Sequence, residues 1–366
     1  MFNYPYSTIL CNGRPVAIDD VVNSRPKATS KFEESLFSFI REWLSGVEQF
    51  SLTTSGSTGP PKTILGERRQ MMASAKLTAE VLHLEEGQTA LICLSPEYIA
   101  GKMMVVRCIE SGLKIVAVEP SSNPLEKISE HIDFTAMVPL QVHEVLHNHG
   151  PLLSNVGTII VGGGAIDAKD LPLLRSQPCR FYATYGMTET LSHVALRRLN
   201  GGDADPYYTA LPGITFSTDD RGCLVIDWPA FGNTFVTNDL VEIIDSLRFI
   251  WLGRWDNVIN TGGIKILPEM LEKKIAGVLA GTPYNERFFI AGVPDRRLGT
   301  KLALVIESNH SIQMYNTLLD TLKSSLQGYE VPKVVLRHFP FIETQTGKVD
   351  RTATLKRAIS DFHSTD

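Results

Sequence analysis

Apolar positions in the first half of the chain fall into short runs. Ala90–Leu94, Ile115–Val118, Phe134–Val138 and Thr158–Val161 are strand-length, β-branched and bounded by Gly, Pro or polar turns. Between them, Gln70–Leu82 and Lys102–Ser111 carry apolar residues at helical spacing. Buried strands alternating with helices predict a mostly parallel sheet with helices packed on it. From about Tyr207 the pattern changes. Cys223–Trp228, Val241–Ile244 and Arg248–Trp251 are closely spaced strand candidates, and Asp219-Asp220-Arg221-Gly222 and Asp245-Ser246 supply turns, so antiparallel β is expected there. Past Arg254–Asp256 the pattern predicts a helix over Pro268–Leu279, strands over Phe288–Val293 and Leu302–Glu307, a helix over Ile312–Leu326 and a strand over Val334–His338. The expected architecture is α/β with an antiparallel β portion: a large domain over 1–255 and a small α+β domain over 256–366.

Composition narrows the class without changing that picture. With 366 residues, 43% of them apolar and 20% charged, the chain can bury a sizeable core and does not have the composition of a disordered protein. A formal charge of −5 gives no basic field, so a nucleic-acid partner is not expected. No apolar run approaches the roughly 20 residues that cross a bilayer, so no membrane insertion is expected. Met1–Gly13 lacks the basic-then-apolar pattern of a secretory leader, and the expected location is the cytoplasm. The five cysteines are odd in number and form no CxxC; four have apolar neighbours and read as buried, inert thiols.

Chemistry concentrates in a few segments. In Thr53-Thr54-Ser55-Gly56-Ser57-Thr58-Gly59-Pro60-Pro61-Lys62, two glycines free the backbone N–H groups to turn inward, hydroxyls add donors and Lys62 adds a compact cation. Such a loop suits a polyphosphate, although a Ser/Thr/Gly linker has a similar composition. It is not a Walker A loop, which places Gly directly before Lys-Ser/Thr.

This loop resembles the phosphate-binding loop of the adenylate-forming enzymes, which include acyl-CoA synthetases and peptide-synthetase adenylation domains. Four further segments match that superfamily in order: Tyr185-Gly186-Met187-Thr188-Glu189-Thr190, Thr237-Asn238-Asp239, Gly253-Arg254-Trp255-Asp256 with Thr261-Gly262-Gly263-Ile264-Lys265, and Thr346-Gly347-Lys348-Val349-Asp350-Arg351. The resemblance implies a large AMP-binding domain with a small mobile C-terminal domain, and a reaction in which a carboxylate attacks the α-phosphate of ATP before a thiol displaces AMP. It implies that Thr54, Ser55, Gly56, Ser57, Thr58, Gly59 and Lys62 hold phosphates, that Thr188 touches the α-phosphate, and that Glu189 binds Mg²⁺. It places Gly163, Gly164, Ala165, Thr184, Tyr185 and Gly186 around adenine, and Asp239 and Arg254 at the ribose. Lys348, ordinarily an exposed surface group in such a context, becomes the cation between acid and α-phosphate. Asp256 becomes the hinge, and Gly262, Gly263 and Lys265 line the path of CoA.

The chain also departs from the superfamily pattern. Fewer residues than usual precede the phosphate loop, which implies a compressed first subdomain and leaves open a small substrate or a homodimer that covers the exposed face. Tyr98 stands where histidine is frequent and either lines the acyl pocket or simply packs. Asn238 replaces the usual glycine, which asparagine tolerates if a left-handed backbone is required. The stretch Tyr185–Val194 and the triple glycine Gly162–Gly164 are similar to the o-succinylbenzoate–CoA ligases, whose acid carries a second carboxylate; Arg107, Ser192 and His193 are the candidates to meet it. Another aryl or short acyl acid, transfer to a carrier protein, and a non-catalytic adenylate sensor are the alternatives.

Overall fold

The computed structural model describes residues 4–53, 63–167, 169–280, 282–284, 286–310, 315–344 and 349–363. Backbone contacts divide the chain into two compact units. The first comprises Met1–Phe216, Ile226–Phe235 and Asp245–Phe249; the second comprises Ser217–Val225, Val236–Ile244 and Ile250–Asp366. The sequence expectation was one cut at 255/256, whereas the division by contacts assigns two earlier segments to the second unit.

The first unit is built on a long sheet. It starts with β1 (Thr8–Cys11) and β2 (Arg14–Ala17), the short helix α1 (Ile18–Val22) and α2 (Lys31–Leu44). An antiparallel hairpin, β3 (Gln49–Thr53) and β4 (Thr63–Glu67), leads into α3 (Arg68–Leu82). Then follow β5 (Thr89–Ile92), α4 (Ile99–Glu110), β6 (Lys114–Ala117), β7 (Ile132–Met137), α5 (Pro139–Asn148), β8 (Val156–Val161), α6 (Leu171–Arg175), β9 (Arg180–Gly186), β10 (His193–Arg198) and β11 (Tyr208–Ala210). In the sheet β1, β6, β5, β7, β8 and β9 lie side by side in parallel. β10 and β11 continue antiparallel, with Tyr208 and Thr209 pairing to Phe249 and Arg248.

The expected alternation of strand and helix is therefore present, with ends shifted by at most three residues. After the parallel strands, the change to antiparallel pairing comes earlier than expected, at His193 rather than near Tyr207. One face of the sheet is sealed by a core in which Leu91, Ile159, Val161 and Phe181 meet Val142, Val145 and Leu146 of α5. The helix α4 is buried along Met103–Ile109, which is why its sequence reads as nearly continuous apolar residues; Arg107 is the one charge within that stretch. All five cysteines are buried and unpaired, and burial pushes the Cys93, Cys108 and Cys179 thiols up to about 12.

Strands β12 (Thr215–Thr218), β13 (Cys223–Trp228), β14 (Asn233–Asp245) and β15 (Arg248–Arg254) each hold residues of both units. The rest of the second unit comprises β16 (Ile259–Thr261), β17 (Ile264–Ile266), α7 (Pro268–Leu279), β18 (Phe288–Asp295), β19 (Gly299–Glu307), α8 (Asn316–Ser325), β20 (Val334–His338) and α9 (Arg351–His363). The β18–β19–β20 sheet shows strict alternation. Ile290, Leu302, Leu304 and Ile306 face the core with α7 and α8, while Phe289, Ala291, Ala303 and Val305 face the core with α9. Among the described residues no helix is long and apolar enough to cross a membrane.

Candidate active site

In a parallel sheet, ligands gather at the carboxyl ends of the strands, where loops are free to diverge. Here β8 ends at Val161, whose register partner on β9 is Ala183. The exposed turn of Gly163, Gly164 and Ala165 therefore leaves the sheet beside Thr184, Tyr185 and Gly186. The Thr184 hydroxyl donates to the Val161 carbonyl at 3.1 Å, fixing this edge. Tyr185 is half-buried; its ring meets Phe249 edge-on at 5.0 Å and Tyr208 at 5.7 Å. These six residues, expected around adenine, are thus grouped on one edge of the first unit.

The β9–β10 connection carries Thr188 and Glu189. Gly186 pairs with His193, and a Cβ at 186 would stand 2.3 Å from the Ser192 carbonyl oxygen, so only glycine fits. The buried Thr190 ties the turn together: its hydroxyl donates to the Ser192 carbonyl at 2.7 Å and accepts from the Met187 N–H at 3.0 Å. Leu191 adopts a positive φ of 63° and sits against the β3–β4 hairpin, 3.0 Å from where a Cβ on Gly66 would lie. The hairpin's last register pair is Thr53 with Thr63. Thr54, Ser55, Gly56, Ser57, Thr58, Gly59 and Lys62 lie outside the described residues; β4, which follows them in the chain, meets Leu191, two residues past Glu189. Glu189 is exposed and makes no ion pair among the described residues, so its oxygens suit a hard cation such as Mg²⁺.

Behind that turn lies a polar cluster in the core. Arg107 donates to the Ser192 hydroxyl at 2.5 Å, and lies 3.4 Å from both His193 Nδ1 and the Thr78 hydroxyl. His193 Nε2 is 3.0 Å from that same hydroxyl. Arg107 is 2% exposed, yet no carboxylate pairs with it among the described residues. Burial lowers its pKa to about 10. Burial, reinforced by the Arg107 charge, pushes His193 well below the ordinary imidazole value, so it is neutral at pH 7. Three of the four candidates for the acyl pocket therefore come together. Tyr98 does not join them: it is 41% exposed before the first residue of α4, and Arg107 stands nine residues on, a rise of about 13 Å.

The second unit holds the remaining candidates. Asp239 accepts from Trp251 Nε1 at 3.1 Å and has Arg254 at 3.8 Å. Arg254 also pairs with Asp256 at 3.1 Å, and Asp256 accepts from Asn238 at 3.2 Å. Asn238 is itself held by Arg221 at 2.9 Å. Asn238 has no positive φ, so the left-handed backbone that would call for glycine is not required there; its amide bridges Arg221 and Asp256. Arg221 was not among the candidates, and its signal was only the polar turn that contains it. Gly262 and Gly263 form the two-residue turn between β16 and β17 at φ 58° and 86°, a hairpin geometry that favours glycine at both positions. Lys265 is exposed with its ammonium 5.2 Å from the Trp255 ring centre. Lys348 lies outside the described residues.

Comparison with known proteins matches this architecture. Residues 50–229 fit the model of the AMP-binding enzyme family. A solved acyl-CoA synthetase (AMP-forming)/AMP-acid ligase II-like protein from Dyadobacter fermentans is 39% identical, covering 92% of this chain and 97% of its own, with a TM-score of 0.61. The chain belongs to the AMP-binding enzyme family. Within the family, a probable 2-succinylbenzoate–CoA ligase of Mycobacterium tuberculosis is 27% identical over 330 residues, covering 84% of this chain and 83% of that protein. O-succinylbenzoate coenzyme A synthetase from Bacillus subtilis, solved with ATP and magnesium, shares the fold at a TM-score of 0.70 and 19% identity, covering 83% of this chain and 69% of its own.

Proposed function

We propose that this chain is an AMP-forming acid–CoA ligase, and that its acid carries a second carboxylate, as 2-succinylbenzoate does. The observation that carries the reading is Arg107. A buried guanidinium held only by neutral groups keeps its desolvation cost uncompensated until an anion arrives. It is hydrogen-bonded to Ser192, which follows the Thr188–Glu189 turn by three residues, so an acid reacting at that turn could reach it with its far end.

In the first step a carboxylate oxygen attacks the α-phosphorus and pyrophosphate leaves. An anion approaches a polyanion there, so oriented donors and cations stabilise the transition state. Ser55, Ser57, Thr58 and Lys62 would hold the β- and γ-phosphates, with Thr54, Gly56 and Gly59 shaping the loop. Thr188 would donate to the α-phosphate, and Glu189 would hold the Mg²⁺ that neutralises phosphate charge. Gly163, Gly164, Ala165 and Tyr185 would receive adenine, Asp239 and Arg254 the ribose. Lys348 would supply the cation at the forming bond. In the second step the CoA thiolate attacks the acyl carbon and AMP departs; Gly262, Gly263 and Lys265 would border the pantetheine arm, with Asp256 as the pivot between steps.

The test is pyrophosphate release with ATP, Mg²⁺ and a panel of acids, with and without CoA. CoA-dependent turnover with 2-succinylbenzoate, and far less with benzoates and fatty acids, is the expected result. Efficient turnover of monocarboxylic acids would overturn the dicarboxylate assignment and leave the ligase reading. ATP binding without turnover of any acid would overturn both.

A further inference from the structure

We propose that His143, His147 and Asp170 form a binding site for one divalent first-row transition cation, zinc first among them. None of its three residues is among those assigned above to the acid or the nucleotide, and nothing in the reading above uses them. His143 and His147 are four residues apart on α5 and so share one face, with ring centres 4.4 Å apart. His143 Nδ1 lies 2.9 and 3.1 Å from the two Asp170 oxygens, and His147 Nε2 lies 2.9 Å from one of them. Ligand atoms around a tetrahedral zinc ion with bonds of about 2.0–2.1 Å stand about 3.3–3.4 Å apart. The two histidine–aspartate pairs need only separate by a few tenths of an ångström to admit the ion, and the three donor atoms already lie within 4.8 Å of one another.

Burial makes the arrangement directional. The Asp170 carboxylate is 3% exposed, while the two imidazoles are 52% and 39% exposed. A buried carboxylate aimed at two nitrogen bases presents one hard anionic and two borderline ligands, a set that selects zinc, cobalt or nickel over magnesium. Asp170 is fixed by its backbone: its N–H bonds to the Asp167 carbonyl at 3.0 Å, and its own carbonyl accepts from Leu174 at 2.8 Å. Three protein ligands on a face open to solvent leave the remaining coordination positions to water. A bound ion would clip α5 to the segment that follows the Gly163–Ala165 turn, and so raise the melting temperature.

The experiment titrates the nucleotide-free protein with Zn²⁺ by calorimetry and with Co²⁺ by visible absorption. We expect one ion per chain, cobalt d–d bands showing nitrogen ligation, and a higher melting temperature. The His143→Ala/His147→Ala variant, altered at partly exposed positions, should bind at least about tenfold more weakly and lose the cobalt bands. Asp170→Asn should weaken binding while the fold holds, and the double histidine variant carries the test if that fold fails. A large excess of Mg²⁺ should not displace Zn²⁺, which separates this site from Glu189. No bound ion, equal binding by the double histidine variant, or full displacement by Mg²⁺ would each overturn the proposal.

Discussion

Arg107 in the first unit and Arg254 in the second illustrate opposite uses of the same side chain. Arg254 is 34% exposed and lies within reach of two carboxylates, Asp239 at 3.8 Å and Asp256 at 3.1 Å. Its charge is balanced before any ligand arrives, and solvent screens it, so the pairs orient groups more than they stabilise the fold. Arg107 is buried, and its partners among the described residues are two hydroxyls, a thioether and a neutral imidazole. No carboxylate among the described residues balances its charge. The exposed pair reads as positioning, whereas the buried lone cation reads as recognition.

The predictions sharpen that contrast, beginning with the largest effect. Lys348→Ala should slow adenylate formation roughly 10²–10³-fold, the scale of removing one transition-state donor, while sparing thioester formation from preformed adenylate. Single-turnover assays of the two steps check this; equal loss in both would reject the role. Asp256→Pro should slow the thioester step by about tenfold, or about 1.4 kcal/mol of barrier, with adenylation largely kept. Unchanged overall turnover would remove the pivot.

Arg107→Met should leave thermal stability unchanged or raised, because a desolvated charge is exchanged for an apolar chain of similar length. A loss above about 2 kcal/mol would make Arg107 a structural residue instead. The smallest effect concerns acid. His193 has a folded pKa below its unfolded value, so the unfolded chain binds the extra proton first. Its contribution is present at neutral pH and is lost as pH falls below about 6.5, with a slope of at most about 1.4 kcal/mol per pH unit. Denaturant melts at pH 7 and pH 5 should show a smaller acid penalty in His193→Gln than in the unaltered chain; identical penalties would mean that His193 is charged when folded.

Much of the fold was legible because it rests on local pattern. Cys223–Trp228, Pro268–Leu279 and Val334–His338 begin and end where period and turn residues place them. The early change from parallel to antiparallel pairing after β9 was hidden because its turn carries no turn signature: Leu191, a residue that rarely takes positive φ, sits at 63°, and the Thr190 hydroxyl closes the loop. Sequence singled out Arg107, Ser192 and His193, but not Thr78, which joins them from 29 residues before Arg107 and 115 before His193. Such contacts are set by how α3 and α4 pack on β10, and no local pattern encodes them. The same holds for Asn238, whose role depends on Arg221 17 positions away. The spacing of His143 and His147 was visible in the chain; Asp170, 27 residues beyond His143, was not.

The measurement that bears most directly on the account compares kcat/KM of the unaltered chain and Arg107→Met, each with 2-succinylbenzoate and with an analogue lacking the second carboxylate. If Arg107 meets that group, the substitution should cost roughly 1.5–3 kcal/mol with the dicarboxylate, about 10- to 150-fold, and little with the analogue. Equal losses on both acids would contradict the claim that the buried arginine recognises the substrate's second charge.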